Sequence, residues 1–295
     1  MLIYWGCGEI IGKGQPKVID TAKMNSVEFG KVFSGRTPTH QIPPYAHKGW
    51  IYGEWPNNED KTDIPKDSSL IGGHLVRGNY VPDIRFSLDR KRDFMAPVKF
   101  SPIQVAQNSA MKVEWQSIPT AIGYFASAMG YDQKSGDSIF WSSSEVPEMG
   151  FALQNFLTTA DVSRFIKEKV VMDPSRTTCT VPPVFREVQG AMLQFVAYGE
   201  EFNLVYPPRP KDPKQPWDPQ WSVKVRLKST GMTTLMANED DGSGRSGKSS
   251  SKSGKQTRTK DEESNDPRSS DEDSGSTSDK LKKGVGERLK GLFGF

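Results

Sequence analysis

Residues 111–130 read MKVEWQSIPTAIGYFASAMG. Met111, Val113 and Trp115 fall on one side of an extended chain and Lys112, Glu114 and Gln116 on the other, the two-residue period of a half-buried strand. Pro119 interrupts the run, because proline has no N–H to give a ladder. A second apolar run, TAIGYFASAMG, begins at once, so the stretch reads as a hairpin of strand, corner and strand. Trp115 and Tyr124 are expected to anchor a core, since large aromatics supply much of a core's buried area. A pair of rings stacking on a ligand is the other use of the same two residues.

The pattern continues on both sides. GDSIFWSSSE predicts a third strand behind a turn at Gly136–Asp137. TTADVSRFIKEKV breaks the rhythm: Thr159 or Asp161 can cap a helix, and Val162, Phe165, Ile166 and Lys169 recur at helical spacing. Strands resume at TTCTVP, AMLQFVAYG and EFNLVYP. Upstream, the short runs MLIYW, PKVID, GWIYGEW, SSLIGGHLVRGNYV and IRFSLD are divided by Gly, Pro and Asn, which predicts a small antiparallel β domain with long loops. The expected fold class is therefore mainly β. An N-terminal antiparallel β domain (1–105) precedes a β-sandwich with one short helix (106–206), and a disordered tail ends the chain. The 27 glycines and 21 prolines favour strands and turns over a helix bundle.

VEWQSIPTAIGYFASAMG resembles the B to C hairpin of a fibronectin type III-like sandwich, where a core Trp, a Pro corner, an Ala and a Gly-Tyr pair recur in that order. CTVPPVFREVQGAMLQFVAYG is similar to that fold's later strands, and the likeness covers about residues 106–206. It implies two packed sheets, either fibronectin-like or immunoglobulin-like. Ala191 stands where the family's tyrosine corner has its Tyr, and MGFALQNFLTTADVSRFIKEKVV is longer than an ordinary connection. The chain as a whole resembles exported bacterial proteins.

After Tyr206 the run PPRPKDPKQPWDP holds six prolines and predicts an extended, semi-rigid arm over 207–220. WSVKVRLKST then alternates Trp221, Val223, Val225 and Leu227 with Ser222, Lys224, Arg226 and Lys228, so 221–236 is expected to return to a sheet. Between Asn238 and Asp279 there is no Ala, Val, Ile, Leu, Met, Phe, Trp, Tyr or Cys. With nothing to bury, 237–279 is expected to be a disordered charged linker. GSGRSGKS, from Gly242 to Ser249, matches a nucleotide-binding loop with Lys248 and Ser249 at the key places. Such a loop needs a buried strand before it and a helix after it. NEDD and SSKSGKQ supply neither, so no nucleotide binding is expected. In residues 280–295, Leu281, Val285, Leu289, Leu292 and Phe293 lie along one side of a helix, with Lys282, Lys283 and Lys290 among the cations around them. This amphipathic segment is the expected contact with an anionic membrane or an unknown protein partner.

Residues 1–237 carry 27 basic and 24 acidic side chains, too even a balance for a basic nucleic-acid face. No apolar run is long enough to span a bilayer. The chain opens on MLIYWGCGE with no leader pattern, which suggests a start inside a longer gene product; periplasm or envelope is then favoured, and the cytoplasm otherwise. Cys7 and Cys179 are the two cysteines, with no metal-ligand spacing around them. They read either as two buried free thiols or as a long-range disulfide, the latter implying an oxidising compartment. His40, His47 and His74 lack arranged carboxylates, and Glu54, Glu145 and Glu148 are scattered. No catalytic residue, metal or cofactor is expected. The functional expectation is a non-enzymatic, envelope-associated interaction or scaffold protein. One alternative is a carbohydrate-binding or carbohydrate-active protein using Tyr45, Trp50, Tyr52 and Trp55. The other is a structural subunit whose opening strand MLIYW is completed by another chain.

Overall fold

A computed structural model describes residues 1–20, 23–25, 35–39, 49–57, 63–186, 188 and 190–235. The nucleotide-loop match, the charged linker, the C-terminal amphipathic segment, His40, Tyr45 and His47 lie outside the described residues. The described part is mainly β, and it falls within one compact unit. Its strands are β1 (Leu2–Trp5), β2 (Lys17–Val18), β3 (Gly72–Gly78), β4 (Val81–Leu88), β5 (Gln104–Val105), β6 (Met111–Glu114), β7 (Gly123–Asp132), β8 (Asp137–Ser142), β9 (Thr178–Val181), β10 (Met192–Tyr206) and β11 (Trp221–Thr234). One α-helix, α1, spans Thr159–Lys167.

Three sheets result. A six-stranded sheet has the order β11-β10-β7-β8-β1-β2, a three-stranded sheet the order β5-β6-β9, and β3 and β4 pair as a hairpin. β6 and β7 therefore belong to different sheets. The stretch that reads as a hairpin is instead a corner by which the chain crosses from one sheet to the other. Pro119 prevents continued pairing, Ala121 closes a turn on the Ile118 carbonyl at 2.9 Å, and the Tyr124 hydroxyl accepts the Ile118 N–H at 3.1 Å.

Between the two larger sheets, Trp115 meets Tyr124 edge-on at 5.6 Å and Phe195 at 4.7 Å. Val113, Val181, Leu193 and Trp141 fill the same layer. Tyr4 of β1 also lies in it, so the N-terminal residues and the 106–206 stretch share one core. β1 runs parallel to β8 and antiparallel to β2, so the opening strand has its neighbours within this chain. β7 is covered on both faces from Gly123 to Ala128. Tyr124, Ala126 and Ala128 face the small sheet, while Phe125 faces a second cluster with Leu153, Val162, Phe165 and Tyr198. That is why GYFASAM reads as nearly unbroken apolar sequence.

The long insertion supplies this second cluster, and α1 is its main element. Its cap is Thr158, not Thr159 or Asp161: the Thr158 hydroxyl accepts the Asp161 N–H at 3.0 Å, which satisfies one of the donors a helix start leaves over. AMLQFVAYG and EFNLVYP, expected as two strands, form the single β10. A register shift between Tyr198 and Glu201 lets the ladder with β11 absorb the break, as a bulge does. The proline run 207–220 closes the β10–β11 hairpin, with the Trp217 indole N–H donating to the Pro207 carbonyl at 2.9 Å.

Candidate functional site

Cys7 and Cys179 are joined, with Cα atoms 4.9 Å apart and 172 residues between them in sequence. Neither is the free thiol of the simpler reading. Cys7 follows β1 of the large sheet and Cys179 lies in β9 of the small one, so the bond staples the two sheets. Gly8 donates to the Thr180 carbonyl at 2.8 Å beside it.

The scattered carboxylates are each held by their own neighbours. Glu54 accepts the Tyr52 hydroxyl at 3.0 Å, and Glu145 pairs with Lys169 at 3.3 Å. Glu148 is buried and accepts the N–H groups of Gly150 and Arg36. His74 stacks on Phe86, its Nε2 2.7 Å from the Leu70 carbonyl. Among the described residues no group of three or more His, Cys, Asp or Glu is placed to hold a metal, and none of their helices is long and apolar enough to cross a membrane.

Large side chains left in solvent are more informative, since buried aromatics are the rule in a folded core. Trp50, Tyr52 and Trp55 are all exposed, Trp55 at 59 %. Burial first, and then the Glu54 carboxylate, raise the Tyr52 hydroxyl above its ordinary pKa. Trp55 forms one wall of an open groove of about 340 Å³, with Phe94 as another wall, 6.5 Å away between ring centres. Pro56, Asp63, Ile64, Pro65, Ser68, Ser69 and Leu70 line the rest.

Asp93 ties three of the lining residues together. Its carboxylate accepts the N–H groups of Leu70 at 2.6 Å and Phe94 at 2.8 Å and the Ser69 hydroxyl at 2.9 Å. These bonds, the Leu70 N–H foremost, hold it below the ordinary carboxylate pKa. Sequence reading singled out Trp55 but not Phe94, Asp63 or Asp93. The isolated Phe in KRDFMAP was the one local signal. A second hollow, of about 410 Å³, lies along β3–β4 and is lined by residues 73–75 and 85–87 of that hairpin alone.

The other prominent surface is the outer half of β10–β11. β7 pairs with β10 only from Met192 to Tyr198; beyond it, residues 201–206 pair with 221–226. Phe202, Leu204 and Tyr206 stand opposite Val225, Val223 and Trp221, which gives this arm one apolar face. Tyr206 stacks on Trp221 at 5.4 Å near the tip, and Arg92 sits 3.8 Å over Phe202 at the base. On the other face Lys224 pairs with Glu201 at 3.1 Å. Lys228 donates to the Gln154 carbonyl at 2.9 Å above the Phe156 ring. Burial, and then the nearby Arg226 charge, lower the Lys228 pKa. Trp115 and Tyr124 are buried against each other and open to no ligand. Compared with known proteins, the chain matches no family model, no curated protein and no solved structure.

Proposed function

We propose that the protein is a non-enzymatic interaction module of the cell envelope, whose rigid body holds the β10–β11 arm out to a protein partner. The outer half of that arm carries the reading. A two-stranded hairpin is marginal by itself, yet this one extends past β7 with half-buried apolar side chains along one face and Tyr206 exposed at 48 %. The compartment rests on the Cys7–Cys179 bond, because disulfides persist where the surroundings are oxidising. The reading takes residues 106–206 as a fibronectin-like or immunoglobulin-like module, on the order Trp115, Pro119, Gly123–Tyr124. It takes Leu281, Val285, Leu289, Leu292 and Phe293, with their neighbouring lysines, as a second contact to a membrane or partner.

Two measurements test it. Alkylation of protein from its native cells, before and after reduction, should show Cys7 and Cys179 joined; two free thiols would remove the envelope. A photo-crosslinking residue placed at Tyr206 in those cells should give a discrete heavier species. One placed at Tyr131, exposed at the β7–β8 turn, should not. Identical patterns from both positions would sink the role given to the arm.

A further inference from the structure

We propose that the groove between Trp55 and Phe94 is a saccharide site for N-acetylated amino sugars, independent of the arm. A pyranose ring presents an apolar C–H face and a rim of hydroxyls, so a site for it needs an exposed aromatic plane with polar atoms at its edge. Trp55 and Phe94 give two walls inclined at 53°. The volume of about 340 Å³ lies at the small end of the range for small-molecule sites, about 300–1,000 Å³. Asp63 and Ser68 both line the groove, and no described residue hydrogen-bonds or pairs with the Asp63 carboxylate.

The chemistry of the rim selects the ligand. An ionised carboxylate only accepts hydrogen bonds, so Asp63 suits sugar hydroxyls and the N–H of an acetamido group. Ile64 and Leu70 offer an apolar wall for the acetyl methyl. A proline-rich peptide would find the same aromatic surface, but its prolines have no N–H to give the Asp63 carboxylate. Uronates would be repelled by the same charge. Because Asp93 already ties Leu70, Ser69 and Phe94 together, little ordering has to accompany binding.

The test is calorimetric titration of the full, disulfide-intact chain with N,N′,N″-triacetylchitotriose, with tryptophan fluorescence as a second readout. Saturable binding is expected with Kd on the order of 0.1–1 mM, common for a shallow site with few polar contacts. Trp55→Ala should weaken it at least about tenfold, and Asp63→Ala about tenfold, in line with loss of a hydrogen bond to a charged group. Tyr80→Ala, 96 % exposed on the β3–β4 hairpin and outside the groove, should leave it unchanged. The site is overturned by an absence of saturation at concentrations tenfold above that range. Binding that survives Trp55→Ala overturns it too, as does saturation by a proline-rich peptide where the trisaccharide gives none.

Discussion

Tyr124 has no exposed surface, yet its hydroxyl accepts the backbone N–H of Ile118 at the Pro119 corner. Tyr124→Phe keeps the ring against Trp115 and Phe195 and leaves that N–H without its acceptor. An orphaned buried donor costs about 1–3 kcal/mol, so the urea midpoint should fall while the slope m stays unchanged. Asp161 offers a pH-dependent counterpart. Burial works to raise its pKa, but the Thr39 backbone and hydroxyl, the Thr158 hydroxyl and Arg164 outweigh it and hold the carboxyl below its ordinary value. A depressed folded-state pKa gives stability that is complete above the unfolded value and is lost as pH falls through the folded one. Thermal unfolding should therefore lose stability below about pH 4. Asp161→Asn should flatten that acid limb, and Asp132→Asn, on an exposed turn, should change it less. Equal limbs in wild type and Asp161→Asn would remove this carboxylate from the pH response.

The strands, the bulge and the helix cap decide where the arm points. At Gly199 an added Cβ would lie 2.7 Å from the Leu227 Cβ and the Met95 sulfur and 3.0 Å from the Leu227 carbonyl oxygen. The bulge in β10 thus lets two strands and the 95–100 segment meet closely. Gly199→Ala should cost about 1–3 kcal/mol by overpacking. It should also lower hydrogen-exchange protection of residues 201–206 while Leu193–Ala197 keep theirs; uniform protection would show that the arm is aligned by other contacts. Much at this scale was legible beforehand. β6 and α1 announce themselves through periods of 2 and 3.6, β7 and β8 show as short apolar runs, and Gly136 closes the turn that leads into β8 at Asp137. The continuity of β10 was not legible, because GEE reads locally as a break and only β11 across the ladder bridges it. The groove was half legible for a similar reason: Trp55 stands out in its own loop, whereas Phe94, Asp63 and Asp93 join it through folding.

Whole-molecule stability turns on how two sheets of unequal size stay together. Trp115, Tyr124 and Phe195 form the packed contact between them, and Cys7–Cys179 adds the covalent one. From sequence the two cysteines admitted either free thiols or a bond, since pairing across 172 residues depends on the parallel placement of β1 beside β8. That separation sets the magnitude. Chain entropy puts the stabilisation from closing so long a loop at about 5 kcal/mol, and residual structure in the unfolded chain brings the expected range to about 2–5 kcal/mol. Cys7→Ala combined with Cys179→Ala should lower unfolding free energy by this amount in urea, and dithiothreitol should do the same to the wild-type protein while leaving the double variant unaffected. Loss through the unfolded state predicts a native sheet content that is unchanged by circular dichroism before unfolding begins. If oxidised and reduced protein unfold at the same urea concentration, the noncovalent contacts between the sheets suffice to hold them together. The bond would then add nothing to how firmly the protein folds.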